Sequence, residues 1–238
     1  MSAADTVTDR IREKGFAFLR GETMRRRLLE TGPLADWDAF AATWAELGPD
    51  PYLAVVGRDR KRRHAVFTVA PGSVAAEPAR PHYQAPEYNE LQGGIQRRFE
   101  PLLPVAAESE SLRTVLLEGA RIFAPLSGTD PRWDVEVHQF RIEARLGKDG
   151  APTPEGMHRD GVDHVLVLMI QRVNIRKGTT SIHAPDRTKL GSFTLAHPFD
   201  AALVDDQRAL HAVTPVEAVD PSQPAFRDVL VATYRLKR

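Results

Sequence analysis

The second half of the chain is broken too often by turn residues to be helical. From Trp133 onward, Val135 to Ala144, Val165 to Ile175, Thr179 to His183, Gly191 to Leu195, Ala201 to Asp205 and Val229 to Tyr234 are β-branched or aliphatic runs separated by Gly, Pro and Asp. Short strands at close spacing with turn residues between them predict an antiparallel sandwich or barrel.

The first half reads differently. Thr6 to Lys14 suits a short polar helix and Phe16 to Leu19 a first strand. Leu34, Trp37, Phe40, Ala41, Trp44 and Leu47 repeat at helical spacing between Thr31/Pro33 and Gly48-Pro49. Ser109 to Phe123 predicts a further helix, with Leu112, Val115, Leu116, Gly119, Ile122 and Phe123 on one face. Tyr52 to Val56 and His64 to Val69 are expected to form a hairpin, and Ala70 to Pro86 a long loop. Tyr88, Leu91, Ile95 and Phe99 form an apolar helical stripe that Gly93-Gly94 should interrupt. The fold expected is α+β and mainly β: a helical-rich part over 1–130 packed on a jelly-roll, cupin-like core over 131–238, together one domain.

Composition narrows the chemistry. The 238 residues include no Cys, which excludes disulfides, thiolate metal sites and cysteine nucleophiles, so any metal must be held by His, Asp or Glu. Lys and Arg equal Asp and Glu at 32 each, so no net field draws the chain to nucleic acid or an anionic membrane, although Arg58 to Arg63 is a local basic run. Met1 to Arg12 is polar and no apolar run approaches a membrane span, so a soluble, cytoplasmic protein with no membrane partner is expected.

Glu155-Gly156-Met157-His158-Arg159-Asp160-Gly161 lies between a loop-like stretch and the strand beginning at Val165. In extended chain, residues two apart point to the same side, so His158 and Asp160 can aim an imidazole nitrogen and a carboxylate oxygen at one point. With a second His they would form the two-His, one-carboxylate face of a non-heme Fe(II) site, which leaves positions open for substrates. The pair alone fits a solvated turn equally well, with Asp160 capping a backbone N–H. His211, at the head of a late strand-like run, is the candidate third ligand. His164 is its nearest rival, and His64, His82, His138, His183 and His197 are expected at the surface, in turns or satisfied in the core. Arg227 stands at the mouth of the last strand, where a buried guanidinium needs an anion. That anion is either a protein carboxylate such as Asp228 or the far carboxylate of 2-oxoglutarate, which a planar guanidinium can grip through two parallel hydrogen bonds.

Six motifs in order carry a resemblance: Tyr88-Asn89 with Gly93-Gly94-Ile95, His138 to Ile142, Glu155 to Gly161, Arg172 to Ile175, His211 to Pro215 and Arg227 to Val231. Over about residues 10–235 the chain resembles the bacterial 2-oxoglutarate/Fe(II)-dependent dioxygenases that include the L-isoleucine 4-hydroxylases. It departs from that pattern at Arg176-Lys177-Gly178, where a Gly-Gly pair is expected.

The resemblance implies a double-stranded β-helix, Fe(II) held by His158, Asp160 and His211, and Arg227 as the anchor for 2-oxoglutarate. It also implies use of O2, with hydroxylation of an aliphatic C–H of a free L-amino acid and release of succinate and CO2. Ligation needs neutral imidazole, so activity should fall as pH drops toward ~6. Gln139 and Arg141 share a strand face with Val135 and Val137 and are expected to line the substrate pocket, unless they are ordinary solvent-facing positions. Asn89, Tyr88 and Arg97 near the Gly-Gly break form a second candidate set. The alternatives are an oxygenase of the same fold acting on another metabolite, a peptide or a nucleobase, and a non-redox metal-binding isomerase or binding module.

Overall fold

The computed structural model describes residues 3–55, 60–128, 131–145 and 147–237. Helices α1 (Ala3–Lys14), α2 (Gly21–Thr31), α3 (Trp37–Ala42), α4 (Pro51–Ala54), α5 (Pro104–Ala107) and α6 (Glu110–Ser127) all precede Trp133. Strands β1 (Phe16–Leu19), β2 (Lys61–Ala70) and β3 (Ser73–Ala76) are interleaved with them. The β-rich half follows: β4 (Trp133–Ala144), β5 (His164–Val173), β6 (Ile175–Lys177), β7 (Thr179–His183), β8 (Lys189–Thr194), β9 (Ala201–Asp205), β10 (Leu210–Val213), β11 (Val216–Ala218) and β12 (Ala225–Leu236).

The large sheet has seven strands in the order β1-β9-β5-β12-β4-β2-β3; β10-β7-β8 and β11-β6 are smaller sheets, and every pairing is antiparallel. This is the jelly-roll core that the strand pattern predicts, wrapped by the early helices. Sequence order alone would have kept β1, β2 and β3 out of the core, yet they supply three of the seven strands of its large sheet.

Period-two alternation gives the large sheet two apolar faces. Trp133, Val135 and Val137 of β4 with Leu166 and Leu168 of β5 and Leu230, Ala232 and Tyr234 of β12 face the helices, in one cluster with Leu112, Val115, Leu116, Ile122 and Phe123 of α6. Each Val, Leu, Ile or Phe among them contributes about 1.5–3 kcal/mol when withdrawn from water. Ser109 caps α6 by accepting the Leu112 N–H at 3.2 Å. Gly119 is required there: a Cβ would lie 2.2 Å from the Tyr234 hydroxyl, which donates to the Leu116 carbonyl at 3.0 Å. The opposite face of the sheet, with the small sheets above it, encloses the cleft.

Three local expectations are corrected. Residues 51–54 are helical because Pro51 sits at the first helical position and Asp50 Oδ1 accepts the Tyr52 and Leu53 N–H groups; Val56 lies outside the described residues. The hairpin partner of β2 is β3, inside the stretch expected to be loop, turning at Pro71-Gly72 with Gly72 at φ 69°. Tyr88 to Phe99 is a run of hydrogen-bonded turns: Asn89 Oδ1 accepts the Leu91 and Gln92 N–H groups, Gly94 adopts φ 81°, and Leu91 and Ile95 are exposed. Helix α2 was not foreseen; Gly21 opens it by donating its N–H to Asp200 Oδ1 at 2.7 Å. At the departure from the family pattern the turn still forms, with Lys177 at φ 63° and Gly178 at φ 77°.

Candidate metal centre and cofactor cleft

The loop between β4 and β5 carries His158 and Asp160, and β10 carries His211. The two His main chains form an antiparallel bridge, which brings the ring centroids to 4.5 Å. His158 Nε2 lies 3.7 Å from Asp160 Oδ1, and His211 Nε2 lies 3.7 Å from Asp160 Oδ2. One ligand atom from each of the three lies within 4.8 Å of the others, a spacing that suits three ligands around one ion.

The loop is held open in this shape by Asp206, whose carboxylate accepts the N–H groups of Asp160, Gly161 and Val162 at 2.9, 2.7 and 3.0 Å. Gly161 has φ 76°, and a Cβ there would meet the Tyr88 ring at 2.5 Å. His158 Nδ1 is 3.0 Å from the Gly156 carbonyl, which makes Nδ1 the N–H donor and turns Nε2 to the centre. Gln84 Nε2 donates to Asp160 Oδ1 at 3.3 Å.

The charges suit a cation. Burial alone would raise the Asp160 carboxyl, but the hydrogen bond from His158 and the neighbouring imidazoles hold it well below the usual carboxylate range. Burial likewise pulls His158 down, yet Asp160 and Glu155 outweigh it and hold the imidazole up at about 9. Glu155 Oε1 is 3.2 Å from His158 Nε2. A proton therefore occupies the edge where a metal ion would be wanted. His211 is the opposite case: burial, then the charge of His158, push it down to about 4, leaving a neutral imidazole. Asp206 is pushed up to about 7 by burial and by Asp160.

Arg227 lines the same cleft, an open space of about 960 Å³ that includes the solvent at its mouth. Its guanidinium is buried, and Nε and Nη1 have no partner among the described residues. Burial, and then the like charge of Arg172, lower it to about 10. Asp228 is not its counter-ion. It points to the other side of β12, where Arg141 grips it through two bonds of 2.8 and 2.7 Å and Gln171 adds a third at 2.7 Å. An unpaired guanidinium at this depth is unfavourable unless an anion is to be bound, so the donor edge fits the far carboxylate of 2-oxoglutarate.

The expected substrate residues divide. Gln139 and Arg141 do share a face with Val135 and Val137, but that face meets the helices: Gln139 Nε2 donates to Thr43 Oγ1 at 2.8 Å and Arg141 is committed to Asp228. They do not line the cleft, and the expectation is corrected. The alternate residues Glu136, His138, Phe140 and Ile142 line it instead. Alternation shows which residues travel together, not which layer they will face. Asn89 and Arg97 line the cleft; Tyr88 stands outside it, under Gly161.

The basic run is absorbed by the same alternation. Arg58 and Asp59 lie outside the described residues. Arg60 and Arg62 turn into the cleft, while Lys61 pairs with Glu143 at 2.7 Å and Arg63 donates to the Pro101 carbonyl at 2.9 Å. A second group, His64, His82, Glu136 and His138, is also close enough to hold an ion. It reads better as a hydrogen-bonded knot. Glu136 Oε2 accepts from His64 at 2.8 Å and His82 at 2.6 Å, and Arg62 Nη2 lies 2.8 Å from His138 Nδ1. A guanidinium can only donate, so Nε2 of neutral His138 carries the proton and has no lone pair for a metal. His164 is remote from either group, stacked on Phe123 at 4.6 Å with Nε2 at 2.9 Å from Ser127 Oγ.

Comparisons with known proteins identify the family and the fold. A family model described as 2OG-Fe dioxygenase matches residues 41–233. The chain is 31% identical over 159 residues to the 3(1)-hydroxy-L-isoleucine 4-dioxygenase of Pantoea ananatis (strain AJ13355), which covers 65% of this chain and 64% of that one, less than two thirds of the relative's length. The crystal structure of a bsmA homolog from Methylobium petroleophilum PM1 superimposes with a TM-score of 0.87 at 37% identity, over 98% of this chain and 93% of that chain. IDO from Bacillus thuringiensis shares the fold, with a TM-score of 0.77 at 17% identity over 99% and 100% of the two chains. Among the described residues no helix is long and apolar enough to cross a membrane.

Proposed function

This chain belongs to the 2OG-Fe dioxygenase family, and from that premise we infer that it is an Fe(II)- and 2-oxoglutarate-dependent dioxygenase that hydroxylates an aliphatic C–H of a free L-amino acid. The observation that supports the cofactor reading most strongly is the pairing of His158, Asp160 and His211 with an unpartnered, buried Arg227 in one cleft. A facial set of two His and one carboxylate leaves coordination positions for a bidentate cosubstrate and O2. Fe(II) with 2-oxoglutarate and O2 would supply the oxidation that places one oxygen atom in the C–H bond and releases succinate and CO2.

The chain's own residues then have separable tasks. His158 gives up the Nε2 proton to the solvent when an ion binds, while the Gly156 carbonyl keeps Nδ1–H and the ring orientation fixed. His211 is already neutral. Arg227 pairs with the distal carboxylate of 2-oxoglutarate, and Val229 and Val231 beside it on β12, with Val165 and Val167 of β5, line the cleft with apolar surface.

The amino-acid class is supported by likeness to the Pantoea relative and by the charges beside the metal centre. There Arg60, Arg62 and Arg97 stand against Glu136 and Glu155, with Asp50 behind Arg60 and Arg62. Three cations against three anions suit a zwitterion, which adds no net charge. The experiment is succinate release from Fe(II)-loaded protein with 2-oxoglutarate across the twenty L-amino acids, with mass detection of the product. Release stimulated by at least one amino acid is expected; a protein that shows no anaerobic Fe(II)–2-oxoglutarate absorption band would end the cofactor reading.

A further inference from the structure

Arg97 repeats, near the metal centre, the condition described for Arg227. Its side chain is 1% exposed and lines the cleft. Nη1 donates to Gln92 Oε1 at 2.8 Å and Nη2 to Gln84 Oε1 at 2.7 Å, and both acceptors are neutral amides. Nε is buried with no partner, and Arg97 forms no ion pair among the described residues. Two buried guanidiniums, Arg227 and Arg97, therefore line one cleft without a counter-ion in contact among the described residues, and 2-oxoglutarate accounts for one of them.

Of the neighbouring cations, Arg62 is the more heavily engaged, although its buried Nε, like that of Arg60, has no partner among the described residues. It donates to Asp50 at 3.4 Å, contacts His138 at 2.8 Å and stacks on Phe99 at 3.5 Å. Arg60 shares Asp50 through Nη2 at 3.2 Å and stacks on Phe140 at 4.4 Å. The least engaged guanidiniums are thus those of Arg97 and Arg60, both held by neighbours and so oriented before any ligand arrives.

We propose that Arg97, assisted by Arg60, is the anchor for the carboxylate of the acceptor substrate. The assignment rests on the amino-acid reading above and makes it specific. It also explains the turn-rich segment around Asn89. Asn89 Nδ2 donates to Gln84 Oε1 at 3.0 Å alongside Arg97, which fixes the Gln84 amide so that Nε2 faces Asp160. A carboxylate on Arg97 is therefore one side chain away from a metal-centre residue, and Gln84 is a positioning residue between substrate and iron.

The test uses Mn(II)- and 2-oxoglutarate-loaded protein, which binds without turning over, and calorimetry against the twenty L-amino acids. The amino acid that binds most tightly is then compared with its own α-carboxamide, which keeps the ammonium and side chain but loses the anion. The wild type should prefer the acid by about 100-fold, as expected for a charge-assisted, two-bond contact. Arg97→Lys, which keeps a charge but not the fork, should cut that ratio to about 10-fold or less, Arg97→Gln further, and Arg60→Gln by an intermediate amount. Since the ratio compares two ligands on one protein, general loosening of the cleft does not mimic the result. Arg60→Gln leaves the Gln84 and Gln92 bonds intact should Arg97→Gln fail to fold. A wild type indifferent to acid or amide, or an undiminished ratio in Arg97→Lys and Arg60→Gln, overturns the assignment while leaving the amino-acid reading standing. If no amino acid binds at all, that reading falls and the assignment falls with it.

Discussion

His158 and His211 exchange both main-chain hydrogen bonds, 3.1 Å from the His158 N–H to the His211 carbonyl and 2.9 Å in return. The backbone that positions the two imidazoles is therefore independent of the imidazoles themselves. His211→Ala should leave the metal-free protein folded, with melting temperature little changed, while Mn(II) affinity by calorimetry falls at least about 100-fold, beyond what loss of an outer-shell partner produces. Collapse of the fold in His211→Ala would show that the ring and not the bridge holds β10 to the loop.

Metal uptake should depend steeply on pH. In the metal-free protein His158 is held at about 9, so below that value the ion must displace a proton. Mn(II) affinity is then expected to rise by about tenfold per pH unit between pH 6.5 and 8.5, with close to one proton released per ion. Equal affinities at pH 6.5 and 8.5 would be incompatible with a protonated Nε2.

Arg227 should act on stability in two opposite senses. An unpaired buried charge is unfavourable, so Arg227→Met should leave the ligand-free protein as stable as the wild type or more so. With 2-oxoglutarate and Mn(II) the order should reverse: the cosubstrate raises the melting temperature of the wild type by mass action and that of the variant much less. The Michaelis constant for 2-oxoglutarate should rise by about 100-fold in the variant. An unchanged constant would place the distal carboxylate elsewhere.

Asp206 holds three N–H groups of the loop that carries Asp160. Asp206→Asn removes the charge and turns one acceptor into a donor facing those groups. We expect Mn(II) affinity to fall about 10- to 100-fold, the range seen for outer-shell partners of metal ligands. An affinity within about twofold of wild type would mean the loop keeps its shape without that carboxylate.

His164 provides a pH signal remote from the cleft. Burial is the largest influence, and although Asp163 opposes it, the imidazole is lowered to about 4. Folding therefore favours the neutral form. That contribution is complete above the ordinary value near 6.5 and is lost as pH falls toward 4, on the order of 3 kcal/mol in all. Replacing His164 by Gln should flatten the loss of stability between pH 6.5 and 4 measured by denaturant titration, and an identical slope in the variant would assign the loss to other groups.

Much of this protein is legible along the chain. Most strands from β4 onward, though not β6 or β11, show in their residue runs, α6 in the stripe from Leu112 to Phe123, and the metal-centre candidates in the His-x-Asp spacing, because each of these signals is local. What the chain alone cannot carry is which face meets which layer. The alternation on β4 groups Gln139 with Arg141 and Glu136 with His138 equally well, and only helix packing against Val135 and Val137 sends the first pair away from the cleft. Likewise the basic run around Arg62 resembles a surface patch until β2 pairs with β4 and directs every second guanidinium inward. The missing counter-ions of Arg227 and Arg97 are tertiary facts of the same kind, since a charge is unpaired only with respect to everything folded around it. Residue types and short-range spacing determined most of the elements and the candidate metal ligands; layer packing decided which side chains share the cleft, because burial and pairing are set by neighbours distant in sequence.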